Sequence, residues 1–152
     1  MVYARISKEV EFDAGHRVPS HGSKCRNPHG HRYRVQVHCT GPIIDDPGSP
    51  DDGMLVDFGD LKGLMTALIH DPLDHAMIVW EADGELQDAL DGHGWDVRIF
   101  PYVPTAENIA RWCFEQLDGP IRDRFRDGLT LDEVAVWETP TSVAYYSHGR
   151  RR

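Results

Sequence analysis

Residues His29 to Gly41 read "HGHRYRVQVHCTG", and their side chains alternate with a period of two. His29, His31, Tyr33, Val35, Val37 and Cys39 fall on one face, Arg32, Arg34, Gln36 and His38 on the other. This is the pattern of a half-buried strand, in which successive side chains point to opposite sides of a sheet. Upstream, "ARISKEVEFDAGH" (Ala4–His16) does the same. Ile6, Lys8, Val10, Phe12, Ala14 and His16 share one parity, and Arg5, Glu9, Glu11 and Asp13 share the other. If the two strands pair as a hairpin across loop 17–27, the imidazoles of His16, His29 and His31 converge. Gly30 lets the backbone pass close between the two ligating positions.

Beyond the hairpin, "GPIIDDPGSPDDG" is a turn region rich in Pro, Gly and Asp. In "DFGDLKGLMTALIH", Leu61, Leu64, Met65, Leu68 and Ile69 recur at helical spacing, with Asp57 or Asp60 as N-cap. Residues 82–103 read as a variable loop insertion with room for a short extra hairpin. "PTAENIARWCFEQL" opens a second helix on Thr105 as N-cap, with Ile109, Trp112, Cys113 and Leu117 as its buried stripe. "LTLDEVAVWET" and "TSVAYYSHG" are two further strands meeting near Thr139–Pro140. The order strand-strand-helix-helix-strand-strand predicts an α+β fold, with the helices laid on one face of an antiparallel sheet. At 152 residues the chain, 1–152, is expected to be a single domain.

Composition excludes several classes of function. A net charge of −9 argues against nucleic acid as the main partner. No apolar run is long enough to span a bilayer, and "MVYARISKEV" lacks a signal-peptide core, so a cytoplasmic protein is expected. Three cysteines at irregular spacing suit reduced thiols better than a disulfide framework. The charge is uneven: seven Lys/Arg against three Asp/Glu leave +4 on residues 1–40, hence −13 on the rest. Arg17 to Arg34 holds five basic residues and no acid, either a solvated loop or a landing site for a small polyanion.

Each chemistry-bearing residue has a plain reading beside the functional one. Three neutral imidazoles suit zinc and leave a fourth position for water or substrate. Cys25 opens an alternative, because Cys-x3-His-x-His also fits three ligands of a closed structural zinc site. Asp74 beside His75 is an imidazole tuned by a carboxylate, suited to acid/base work, or else an ordinary surface pair. Glu138 shares strand parity with Val134 and Val136, where an apolar residue is expected. A carboxylate there either closes an ion pair or grips the N–H donors of a ligand. Glu107, in the first turn of the second helix, is placed favourably for the helix dipole.

The stretches "FDAGHRV", "CRNPHGHRY", "MLVDFGDLK", "LDHAMI", "PTAENIARW" and "WETPTSVAYY" occur in this order and span nearly the whole chain apart from about 80–100. Together they resemble the 6-pyruvoyl-tetrahydropterin synthase superfamily. The nearer match is its bacterial carboxy branch, the 6-carboxy-5,6,7,8-tetrahydropterin synthases of the 7-deazaguanine (queuosine) pathway. The resemblance implies the tunnelling fold, with sheets of three subunits closing into a barrel and two trimers stacking as a hexamer. It implies His16, His29 and His31 as ligands of Zn2+, and Cys25 as a catalytic thiol. Asp74 and His75 become its acid/base partners, contributed by a neighbouring subunit. Glu138 becomes the carboxylate that pairs with the pterin edge, with Glu107 and Thr105 lining that pocket.

The reaction implied converts 7,8-dihydroneopterin triphosphate to 6-carboxy-5,6,7,8-tetrahydropterin, releasing acetaldehyde and triphosphate. Cys25-x3-His29 is the shorter interval associated with the carboxy branch. The sister pyruvoyl synthase activity and a non-catalytic zinc module are the alternatives. Three departures stand out: "IVWEAD" follows the Asp-His pair where the family has Leu-Asn, residues 82–100 look longer, and Gly15 replaces Ala.

Overall fold

The hairpin expected from alternation forms with the expected faces. A computed structural model describes residues 1–149; residues 150–152, the end of the expected 1–152 domain, lie outside that description. β1 (Tyr3–His16) and β2 (His29–Pro42) pair antiparallel, with His16 opposite His29 and Ala14 opposite His31. Gly30 suits that close pairing: a Cβ there would stand 3.2 Å from the Ala14 carbonyl oxygen, and the backbone would have to give by a few tenths of an ångström.

Asp57 caps α1 (Phe58–Met65) through its side chain, which accepts from the Gly59 and Asp60 amides. The rod continues through a π-helical turn (Thr66–His70) into a final short turn, α2 (Asp71–Leu73). Thr105 caps α4 (Ala106–Arg124) by accepting from Asn108 N at 3.3 Å. β5 (Thr130–Thr139) and β6 (Ser142–Tyr146) complete the antiparallel part. Phe12, Tyr33, Val35, Val37, Val134 and Val136 from the strands meet Leu61, Met65, Ile109, Cys113 and Leu117 from the helices in one core. Fully burying such a side chain stabilises by about 1.5–3 kcal/mol. This is the mixed α+β architecture expected, and among the described residues no helix is long and apolar enough to cross a membrane.

Segment 82–103 differs from the loop or hairpin expected. Asp83 accepts from Leu86 N at 3.3 Å and caps α3 (Gly84–Leu90). β4 (Val97–Phe100) then pairs parallel with β3 (Met77–Trp80). Parallel strands need a crossover and cannot be joined by a tight turn, so α3 is the crossover of a β-α-β unit. The sheet order is β4-β3-β1-β2-β5-β6, a mixed sheet whose parallel edge meets β1 at Gly15↔Met77. Ile78 and Phe100 join the main core, while Val79 and Leu86 are buried outside that cluster.

Candidate metal centre

His16, His29 and His31 each direct one ligand nitrogen into a common space, and the three atoms lie within 4.8 Å of one another. His16 Nδ1 donates to the Pro104 carbonyl at 2.6 Å, and His29 Nδ1 to the Asn27 carbonyl at 2.7 Å. A carbonyl oxygen only accepts, so both Nδ1 atoms carry the proton and both Nε2 atoms present lone pairs. Those two Nε2 atoms stand 3.2 Å apart. Nitrogens each ~2.0–2.1 Å from one tetrahedral zinc lie roughly 3.3–3.4 Å apart, so the spacing fits an ion. His31 Nε2 is buried with no hydrogen-bond partner, as suits a nitrogen that ligates an ion. Burial first, then the neighbouring imidazoles, disfavour its imidazolium form, while Glu138 opposes them.

Glu138 faces this group. Its Oε1 lies 3.2 Å from His16 Nε2 and 3.6 Å from His31 Nε2. β6 pairs with Trp137 and Thr139 but skips Glu138, which is the extra residue of a β-bulge. Beneath the imidazoles, the Tyr33 hydroxyl is buried and unpartnered, and burial raises its pKa.

Asp74 and His75 form a second corner. His75 Nδ1 is 2.9 Å from Asp74 Oδ2, and Asp74 Oδ1 accepts from Asp13 N at 3.1 Å. His75 N returns the bond to Asp13 O at 2.6 Å, holding His75 at φ 63°. A non-glycine residue in that region costs of order 1–3 kcal/mol and recurs where side-chain aim matters. The Asp13 amide, then His75, keep the Asp74 carboxyl below its usual range. His75 shares a groove of about 450 Å³ with Gly30 and His31, while Glu138, Trp137 and Arg34 border a cleft of about 470 Å³ that His31 also lines.

Cys25 lies in a 3₁₀ turn (Lys24–Arg26), partly exposed, its carbonyl accepting from Val18 N at 2.8 Å. Among the described residues the metal-ligating group is the three histidines, without Cys25. Cys39 and Cys113 are buried, and burial pushes the Cys39 thiol up to about 12. Glu107 is exposed in the first turn of α4, and Thr105 is the cap of that helix.

The basic run Arg17–Arg34 divides rather than forming one patch. Arg17 is bound to Asp83 and Glu85, and Arg32 to Asp13 and Glu11. Arg34 lies over the Trp137 ring at 4.0 Å, and Lys24 and Arg26 flank Cys25. Acids distant in sequence neutralise Arg17 and Arg32, which adjacency along the chain does not reveal. The same holds for the Pro104 carbonyl that orients His16, whereas the Asn27 carbonyl that orients His29 is local. His70 is another residue the sequence did not single out: its Nε2 lies 3.9 Å from Asp74 Oδ2.

Residues 5–149 match the family 6-pyruvoyl tetrahydropterin synthase. A 6-carboxy-5,6,7,8-tetrahydropterin synthase of Haemophilus influenzae is 34% identical over 145 residues, 93% of this chain and 97% of that protein. An uncharacterized protein of Wolinella succinogenes shares the fold at TM-score 0.79, with 24% identity over 97% of this chain and 99% of that one. The 6-pyruvoyl tetrahydropterin synthase of Caenorhabditis elegans superposes at TM-score 0.69, with 28% identity over 98% of both chains. The chain belongs to the 6-pyruvoyl tetrahydropterin synthase family of enzymes.

Proposed function

We propose that this member of the family is a zinc-dependent 6-carboxy-5,6,7,8-tetrahydropterin synthase of 7-deazaguanine biosynthesis. It takes 7,8-dihydroneopterin triphosphate and releases acetaldehyde and triphosphate. The observation that carries the reading is the pair of facing Nε2 lone pairs of His16 and His29 beside the orphaned Nε2 of His31. Bound there, zinc would supply Lewis-acid polarisation of the substrate's side-chain hydroxyls.

The chain's own residues do the rest. Glu138, ionised and directed into the site, accepts from the amino-pyrimidinone edge of the pterin and fixes its orientation. The Cys25 thiolate and the Asp74–His75 pair move protons at the side-chain carbons. His75, tethered by Asp74, has the adjustable imidazole that such transfer needs. Thr105 and Glu107 line the pterin pocket, Thr105 through the helix start whose preceding carbonyl, on Pro104, holds His16. Arg34, Lys24 and Arg26 remain for the triphosphate, because Arg17 and Arg32 have carboxylate partners.

The whole chain acts as one domain in a cytoplasmic homohexamer of stacked trimers, with Asp74 and His75 completing a neighbour's site. Most of β1's outer edge and the outer edge of β6 are open for this, since β1 meets β3 at Gly15↔Met77 alone.

Incubating zinc-loaded protein with 7,8-dihydroneopterin triphosphate tests the reading. Acetaldehyde with the carboxypterin is expected, and a pyruvoyl product without acetaldehyde overturns it. Cys25→Ala separates enzyme from zinc module: zinc should stay near one per chain while turnover disappears. Loss of zinc from Cys25→Ala would make the thiol a ligand instead.

A further inference from the structure

Arg17 follows the metal-site residue His16 directly, yet its side chain turns away from that site. Its Nε donates to Asp83 Oδ2 at 2.7 Å, its Nη2 to Asp83 Oδ1, and Nη2 also reaches Glu85 Oε2 at 2.9 Å. The Arg17 side chain is 13% exposed and that of Asp83 4%. A guanidinium fork on a carboxylate fixes orientation as well as distance. Asp83 Oδ1 also caps α3 through Leu86 N, so one carboxylate joins the crossover helix to the residue after His16.

The connection continues through the backbone. Val18, next in the chain, donates its N–H to the Cys25 carbonyl at 2.8 Å. On the other side of His16, Gly15 N donates to Ala76 O at 2.9 Å. The β3–α3–β4 unit thus grips the end of β1 on both flanks of His16. Its grip on Arg17 reaches the Cys25 turn within one residue.

We propose that the Arg17–Asp83 ion pair is a positioning device for the Cys25 thiol, acting through Val18. The proposal rests on the reading of Cys25 as the reacting thiol. It gives segment 82–100 a role in turnover, and gives Arg17 one other than binding an anion. His16 is independently held by Pro104, so the pair sets the thiol's place rather than the metal's.

Two substitutions test it in the zinc-loaded full chain. Asp83→Asn keeps the shape and the helix cap while removing the charge. Arg17→Lys keeps the charge and loses the fork. Three quantities are read: zinc per chain, kcat and KM with 7,8-dihydroneopterin triphosphate, and the pH profile of Cys25 alkylation by iodoacetamide. The buried Cys39 and Cys113 serve as unreactive references. Zinc should stay near one per chain and KM should hold, while kcat falls roughly 10–100-fold, the scale of a displaced reacting group. The alkylation profile should shift in both variants, less in Arg17→Lys. If only the melting temperature falls while kcat and alkylation match wild type, the pair is merely structural and the proposal fails. Turnover retained by Cys25→Ala overturns the reading of the thiol and this proposal together. Cys25→Ala inactive, with both pair variants unchanged, overturns the pair's role alone.

Discussion

β1 and β2 pair without interruption from Tyr3↔Pro42 to His16↔His29, whereas β1 meets β3 at the single parallel pair Gly15↔Met77. In the hairpin, one loop and the period of two place every side chain, and the three clustered imidazoles lie there. In the β3–α3–β4 unit, position depends on a crossover helix and on side-chain bonds such as Arg17–Asp83. The long-register part presents the ligating groups, while parts brought in from elsewhere hold them: the Pro104 carbonyl behind His16, Ala76 O on Gly15, Asp83 on Arg17. His16, aimed by strand pairing, takes its support from remote sequence, while His29 takes it from Asn27 two residues away.

The comparison can be broken most directly at the metal. His31→Ala should lose zinc and turnover, by more than the 10–100-fold typical of removing a second-sphere partner. Metal analysis checks it, and full zinc content in this variant would place the site outside the hairpin. Next is Ile78→Ala, in β3 and fully buried in the main core. Truncation should cost about 2–5 kcal/mol in denaturant unfolding while folded molecules keep their zinc. Zinc lost well before unfolding would show that the parallel unit and the metal site are not separable.

Glu138→Gln should weaken pterin binding by about 1.5–3 kcal/mol, with zinc unchanged, when measured calorimetrically. Unfolding with intact binding in the survivors would make Glu138 structural. Thr105→Ala should cost about 1 kcal/mol of stability through loss of a helix cap, and Thr105→Asn should restore it. The smallest effect is confined to acid. Arg17 holds the Asp83 carboxyl below the 3.8 of a free Asp, so the stability it confers is present above that value. That stability is lost as pH falls through the lower native value. The melting temperature of wild type should therefore fall more in strong acid than that of Asp83→Asn.

Of the candidate site, the three histidines and the inward carboxylate of Glu138 were legible because strand parity is local: residues two apart share a face whatever surrounds them. Thr105 was legible as a cap for the same reason. The state of the basic run was not, since Asp83 and Asp13 reach Arg17 and Arg32 only through folding. The left-handed backbone at His75 was equally hidden, because its neighbour sequence carries no glycine to announce it. Segment 82–103 reads in sequence as a variable loop with room for a short hairpin because its Gly and acidic residues mask α3 and β4, and a four-residue strand is stabilised by its partner more than by its own propensity.

The sequence by itself determined the strands β1, β2, β5 and β6, the main helices, the inner and outer faces of the hairpin, and the shared face of His16, His29 and His31. Periodicity and capping act over a few residues and need no knowledge of the rest. Tertiary structure alone decided the parallel edge, the tautomers of His16 and His29, and which cations have carboxylate partners. Each of those depends on bonds between segments well separated in the chain, from 19 residues at Arg32–Asp13 to 88 at His16–Pro104, except at His29, where the local Asn27 carbonyl serves. Spacing along the chain encodes none of the long-range bonds, because they form only when the sheet brings their ends together.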